Sequence, residues 1–369
     1  MASGKIGDSS FTIEWLETVL QKELSTNASI SDFSCRQVGY GKGFVSKIII
    51  VDLTWDSDDE NLLKSVALKI PSYENMKEAL GRMTENDDSQ VGQALKDLDP
   101  NKMPLYKIHH CELAVYEVFG NLPPVGLKLA KSYYGRDVSS EEEPGVLVFE
   151  DLSYAENGMI ADGLTVGQMM QVAEAMAALH AYSLKTTDWV KEAISNTFEN
   201  LQDSSVPTPD QCMPMVVQQL KTKNPALFDP LADQCLQLCK SMDEIVYLYR
   251  LNAQMGLPDV LVNGDLHSQN LMWLRDEVTG KPTDNLVAIL DWQMAHGGNM
   301  CEDFTRCFVC CVPADQRRKH TNAVLKHYYT EEKLKEIDLR MKALIEDAVS
   351  IENEVGNGSQ QSKHVCTLV

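Results

Sequence analysis

Apolar residues at Ile13, Leu16, Val19, Leu20 and Leu24 recur at three- and four-residue steps, a spacing that predicts an amphipathic helix near the start of the chain. The period then changes. Phe44–Leu53 is rich in β-branched residues, and Ser65–Ile70 is a second such run stopped by Pro71, so two strands are expected with the acidic stretch Asp56–Glu60 as their turn. Thr84–Pro104 is polar and poorly periodic and reads as a connector. His109–Phe119 predicts a helix with Leu113, Tyr116 and Phe119 on one face. Two short strands are expected around the acidic turn Ser139–Glu143, the second being Val146–Phe149.

Beyond Glu150-Asp151-Leu152 the pattern becomes mainly helical. Val166–Ser183, rich in Ala, Met and Leu, predicts a buried helix, residues 211–255 suggest two more, and Glu331–Glu352 is helix-like. Asp259–Val262 and Leu286–Leu290 are short β-like runs, each followed within a few residues by an aspartate. No internal repeat is visible, and no run reaches the roughly 18 apolar residues of a membrane span. The expected division is a β-rich part over 1–152, a helical part over 153–356 and a polar tail over 357–369.

With 369 residues, 44% hydrophobic and 24% charged, the chain can bury a substantial core. A net charge of −21 argues against nucleic acid or an anionic membrane as partner. It leaves a nucleotide pocket open, because Mg²⁺ and a few local cations reverse the field inside a cleft. The polar start Met1–Lys5 is followed by no apolar stretch, so no secretory signal and a cytoplasmic location are expected. The ten cysteines are then reduced thiols. Cys307-x-x-Cys310-Cys311 lies in the largely apolar stretch Phe304–Val312 with no second ligand pair at zinc spacing, which predicts a core helix. His180, at the end of an apolar helix, reads as a core histidine with its hydrogen bonding satisfied.

The chemistry concentrates in Val262-Asn263-Gly264-Asp265-Leu266-His267-Ser268-Gln269-Asn270, followed by Ile289-Leu290-Asp291-Trp292-Gln293. Phosphoryl transfer needs an acceptor hydroxyl held in line with the γ-phosphate and metal ions that neutralise the β- and γ-oxygens. An aspartate after a strand, an asparagine five positions on, and another aspartate on the next strand can meet those needs. Asp265 would face the acceptor hydroxyl, while Asn270 and Asp291 offer the hard oxygens that Mg²⁺ prefers.

Gly264-Asp265-Leu266-His267-x-x-Asn270-x-x-Trp273 and Asp291-Trp292-Gln293-x-x-His296-Gly297, with Asp303 and Arg306 following, resemble the CHK-kinase-like group. That group includes the ecdysteroid-kinase-like proteins and is related to choline and aminoglycoside kinases. The resemblance implies an α+β, bilobal protein-kinase-like fold, with ATP held between a β-rich N-lobe and a mainly helical C-lobe. It implies ATP and Mg²⁺ as cofactors, Asp265 as the catalytic-loop aspartate, Asn270 and Asp291 as metal ligands, and a small hydroxylated metabolite, steroid-like or an amino alcohol, as acceptor. Lys69, on the run Val66–Lys69, is similar to the strand lysine that holds the α- and β-phosphates, and Glu112 on the next helix is its candidate partner. The glycines of Gly39-x-Gly41-x-Gly43, Gly41 and Gly43 above all, could let backbone amides approach the phosphates. Phe149, Glu150 and Leu152 resemble the hinge that meets the adenine edge.

The group usually has histidine where this chain has Asn263, and it usually continues through further helices after the position of Tyr329. Those departures motivate an alternative: a nucleotide-binding pseudokinase that regulates or scaffolds a partner. Asp303 is expected either to cap the following helix or to brace the catalytic loop, with Arg306 as a partner. His267 could line the acceptor pocket or pack. The C-terminal Cys366-Thr367-Leu368-Val369 has the residue types of a PDZ ligand and fits a prenylation box poorly.

Overall fold

The computed structural model describes residues 4–39, 45–85, 93, 96–97, 105–120, 123–138, 144–186, 189, 209–238 and 251–330. Helix α1 (Ile13–Leu24) opens on Thr12, whose hydroxyl accepts the Trp15 N–H, and closes at Ser25 in the left-handed region. Its spacing turns Ile13, Leu16 and Leu20 inward, as expected from the sequence. Strands β1 (Ile30–Val38), β2 (Ser46–Trp55), β3 (Ser65–Pro71), β4 (Ser132–Arg136) and β5 (Val146–Glu150) form one antiparallel sheet in the order β1-β2-β3-β5-β4. Along β3 burial alternates. Val66, Leu68 and Ile70 join α1 in a core on one face, while Ala67 and Lys69 point to the other.

That other face is covered by α3 (Leu105–Phe119), a longer helix than His109–Phe119, with Leu113, Tyr116 and Phe119 buried as expected. Between β3 and α3 lies α2 (Tyr73–Thr84), capped by the Ser72 side chain. The two strands expected around residues 139–143 are β4 and β5; the turn itself lies outside the described residues.

After Glu150 the chain changes character. The short β6 (Ala155–Asn157) leads to α4 (Val166–Lys185), whose start is a capping box between Thr165 and Gln168. Helices α5 (Pro209–Lys223) and α6 (Ala232–Leu238) follow. Then β7 (Val260–Val262), β8 (Leu271–Arg275), β9 (Pro282–Ile289) and β10 (His296–Gly298) give two small sheets, β10-β7 and β6-β8-β9. Helices α7 (Glu302–Cys311) and α8 (Ala314–Thr330) complete the described chain. One large apolar core joins α3 and β5 to α4, β8, β9, α7 and α8, with Trp273 and Trp292 fully buried in it. The result is the expected α+β arrangement: one large sheet with its helices, then a helix-rich part that carries two small sheets.

The cysteine cluster is the expected core helix, since Cys307 and Cys311 on α7 are buried and Cys310 is exposed. His180 is buried, but only half of the expectation about it holds. Its Nδ1 lies 2.8 Å from the Tyr328 hydroxyl, whereas Nε2 has no hydrogen-bond partner among the described residues. Burial pulls its pKa down to about 3. No helix among the described residues is long and apolar enough to cross a membrane. The helix-like stretch 331–352 and the tail with its PDZ-type end lie outside the described residues.

Candidate active site

Lys69 sits in the middle of β3, opposite Ile48 on one side and Leu147 on the other, so the sheet fixes its backbone from both edges. Its ammonium is 2.6 Å from Glu112 Oε2 and 2.8 Å from Asp291 Oδ1. The Lys69 and Glu112 side chains are only 12% and 3% exposed, while Asp291 keeps 27%. Burial works against the Lys69 charge, but Asp291 and then Glu112 outweigh it and raise its pKa above the ordinary lysine value. Burial, with the Asp291 charge, pushes Glu112 upward against the pull of Lys69 and of the Trp292 N–H, which meets Glu112 Oε1 at 3.3 Å. The predicted pairing of Lys69 with Glu112 is therefore present, and Asp291 makes it a triad.

The loop between β7 and β8 is held by a dense set of bonds. Gly264 has φ +78°, and a Cβ there would stand 2.3 Å from the Met294 carbonyl oxygen, so this position needs glycine. Asp303, wholly buried on α7, accepts the Asn263 N–H at 2.7 Å and the Gly264 N–H at 2.9 Å. Of the two expectations for Asp303, bracing the loop is the one realised; the residue at the helix cap is Cys301, with no side-chain cap bond. Burial, reinforced by the Glu302 charge, pushes Asp303 up to about 6 although both backbone N–H groups favour its ionised form.

Asn263 ties the two catalytic candidates together. Its Oδ1 accepts the Asp265 N–H at 3.1 Å, and its Nδ2 donates to the Asp291 carbonyl at 3.2 Å. Asp291 has φ +59°, outside the ordinary regions for a residue with a side chain. The Asn263 bond, Lys69 on Oδ1 and Gln293 Nε2 on Oδ2 at 3.2 Å hold it there. Asn270 lies beside them because the Leu290 N–H donates to its carbonyl at 2.8 Å as β8 pairs with β9. Its Nδ2 donates to the Asp265 carbonyl at 2.9 Å, and its Oδ1, the lone-pair end of the amide, accepts no hydrogen bond among the described residues.

Arg306 is not the partner of Asp303. Its Nη2 donates to Asp265 Oδ1, and His267 Nε2 stands 3.6 Å from Oδ2. Burial works to raise the Asp265 pKa, yet His267 and Arg306 hold it below the usual aspartate value. The hinge candidates cluster where β5 runs beside β3: Phe149 faces Ala67, Glu150 faces Val66, and Leu152 packs against the large core. Gly41 and Gly43 lie outside the described residues. Two participants were not assigned these contacts by sequence reasoning: Gln293, and Arg306 on Asp265. Gln293 stands only two positions from Asp291, within the motif itself, whereas Arg306 carries no local signal because 41 positions separate it from Asp265.

Hard oxygens from Asn270 and Asp291, with a lysine beside them, suit a divalent cation that takes its remaining ligands from phosphate and water. No group of three or more His, Cys, Asp or Glu among the described residues forms a metal cage.

Comparison with known proteins places the chain further. It is 25% identical over 339 residues to the uncharacterized oxidoreductase dhs-27 of Caenorhabditis elegans, covering 91% of this chain and 39% of that protein. It is 26% identical over 236 residues to the uncharacterized kinase-like protein D1044.1 of the same organism, covering 63% of this chain and 58% of that one. The chain thus spans less than two thirds of the length of either relative. Among solved structures, an ethanolamine kinase of Plasmodium vivax aligns at 13% identity with a TM-score of 0.42, covering 89% of this chain and 78% of that chain. The GDP complex of wild-type aminoglycoside 2'-phosphotransferase-IIIa aligns at 15% identity with a TM-score of 0.39, covering 92% of this chain and 90% of that chain. Residues 8–344 match the family model DUF1679, described as "Uncharacterized oxidoreductase dhs-27", and the chain belongs to that family.

Proposed function

We propose that the protein is an ATP- and Mg²⁺-dependent phosphotransferase that phosphorylates a hydroxyl of a small metabolite, a steroid-like alcohol or an amino alcohol, in the cytoplasm. One observation carries the reading. The Lys69 ammonium is gripped by Glu112 and Asp291, and the Asn263 side chain joins Asp291 to Asp265. A nucleotide-handling lysine and an acceptor-facing carboxylate are thus built into one network.

In this reading Lys69 binds the α- and β-phosphates, and Glu112 fixes its rotamer. The hinge at Phe149, Glu150 and Leu152, near the division at residue 152, meets the adenine edge. Asn270 and Asp291 would hold a magnesium ion, which supplies neutralisation of charge on the β- and γ-phosphates. Asp265 accepts a hydrogen bond from the acceptor O–H and orients it. The acceptor oxygen bonds to the γ-phosphorus as the bond to the bridging oxygen of ADP breaks, and the proton passes late to Asp265, with no phosphoenzyme. A depressed Asp265 pKa fits a carboxylate that orients more than it abstracts.

Asn263 stands where the resembled group has histidine, and it makes both loop bonds, which favours turnover over the pseudokinase alternative. The oxidoreductase in the name of the dhs-27 relative belongs to a protein of which this chain matches 39%. The test is transfer of label from γ-labelled ATP with Mg²⁺ into a fractionated metabolite extract, beside Asp265→Asn. A labelled small molecule formed only by the wild type is the expected result. Equal turnover by Asp265→Asn refutes the assignment, and stabilisation by Mg-ATP without any transfer favours the pseudokinase.

A further inference from the structure

We propose that Arg306 is a positioning residue for this reaction: from α7 it grips one oxygen of Asp265 and so turns the other toward the acceptor. The inference rests on the phosphotransferase reading and adds to it a residue that acts through Asp265.

Residues three apart on a helix share a face, and on α7 those residues are Asp303 and Arg306. Both reach the same three-residue segment. Asp303 holds the backbone N–H groups of Asn263 and Gly264, and the Asp265 N–H is already taken by Asn263 Oδ1. The backbone N–H groups of all three residues are therefore held, while these bonds leave the Asp265 carboxylate free to turn. The terminal torsion of an aspartate is broad and roughly two-fold, so an anchored backbone does not decide which oxygen faces which way. Among the described residues only Arg306 makes a hydrogen bond to that carboxylate, through Nη2 to Oδ1; His267 at 3.6 Å from Oδ2 is beyond hydrogen-bond range. A guanidinium is suited to this task, being planar, permanently charged and able to make directional charge-assisted bonds.

The two acidic and basic arms of α7 also differ in burial. Asp303 is wholly buried, whereas the Arg306 side chain is 49% exposed. A half-wetted ion pair contributes little to folding, so Arg306 can be replaced without loss of the fold. It is also open to solute, which makes chemical rescue feasible.

The test uses the full chain, Mg-ATP as substrate and water as acceptor, read as ADP release. Arg306→Ala is expected to lower kcat by about 10- to 100-fold with an unchanged KM for Mg-ATP, the scale of a misplaced catalytic group. Arg306→Lys should recover part of the loss, and added guanidinium ion should restore Arg306→Ala toward wild type. In an Asp265→Asn background, adding Arg306→Ala should change nothing further. Wild-type kcat in Arg306→Ala, or a second loss that multiplies with Asp265→Asn, overturns the role of Arg306 alone. A wild type that neither binds nor hydrolyses Mg-ATP overturns the phosphotransferase reading, and the role of Arg306 falls with it.

Discussion

Replacing Lys69 by Met keeps most of the apolar stem and removes the charge. What remains is a Glu112 side chain only 3% exposed, facing Asp291 across the space the ammonium filled. An exposed ion pair lost in this way would cost about 0–1 kcal/mol. Burial decides otherwise here, because removing one partner of a buried pair leaves an uncompensated charge and costs about 3–5 kcal/mol. Glu112→Gln should cost less, roughly 1–2 kcal/mol, since Lys69 keeps Asp291 and a glutamine oxygen still accepts the Trp292 N–H. The double variant Lys69→Met/Glu112→Gln removes both buried charges, so it should recover about 2 kcal/mol or more relative to the sum of the single losses. Urea unfolding followed by the fluorescence of the buried Trp273 and Trp292 measures all three. A Lys69→Met cost below about 1 kcal/mol, or strict additivity of the two changes, would show that the triad is not a buried ion cluster and would refute the reasoning.

Three further outcomes follow from the loop and the core. Asp303, pushed up to about 6, is disfavoured as a carboxylate in the fold, so the stability it contributes is complete below its unfolded pKa near 3.9 and is lost as pH rises through 6. Wild type should therefore lose stability relative to Asp303→Asn between about pH 4 and 7, by roughly 3 kcal/mol, in urea titrations across that range; parallel curves would contradict this. Gly264→Ala places a methyl against the Met294 carbonyl at a positive φ, and should cost at least about 1–2 kcal/mol in backbone strain with a larger loss of ADP release. His180, held down to about 3 by burial, stays neutral in the fold, so its contribution is present above pH 6.5 and lost as pH falls toward 3; His180→Phe should flatten the acid limb of a stability profile.

Elements with one regular buried face are legible in the chain. Spacing of three and four finds α1, whose one buried face meets the core, richness in Ala, Met and Leu finds α4, which is buried on nearly all sides, and β-branched or apolar runs find β2, β3 and β5. What escapes is structure stabilised from elsewhere. Strand β1 buries only Ile30 and has no clean alternation; it is a strand because β2 offers it an unpaired edge. Helix α2 follows directly on Pro71, which marks the end of a strand and hides the start of a helix. The signal was there in Ser72 capping the Asn75 N–H and in buried Met76, Ala79 and Leu80 at helical spacing.

The site divides along the same line. Asp265, Asn270 and Asp291 are legible because their spacing is set by short-range geometry: a loop from β7 into β8, and a return along β9 that pairs with β8. Arg306 is legible as a residue but not as a contact, since sequence proximity favours Asp303 while the helix aims both at the loop. Asn263 shows why a departure from a motif need not be a loss. The loop requires from that side chain one acceptor for the Asp265 N–H and one donor for the Asp291 carbonyl. A neutral imidazole carries one of each, and so does a carboxamide, at closely similar reach. The motif records a residue name, whereas the loop needs a hydrogen-bond pattern, and the Asn263 side chain supplies that pattern.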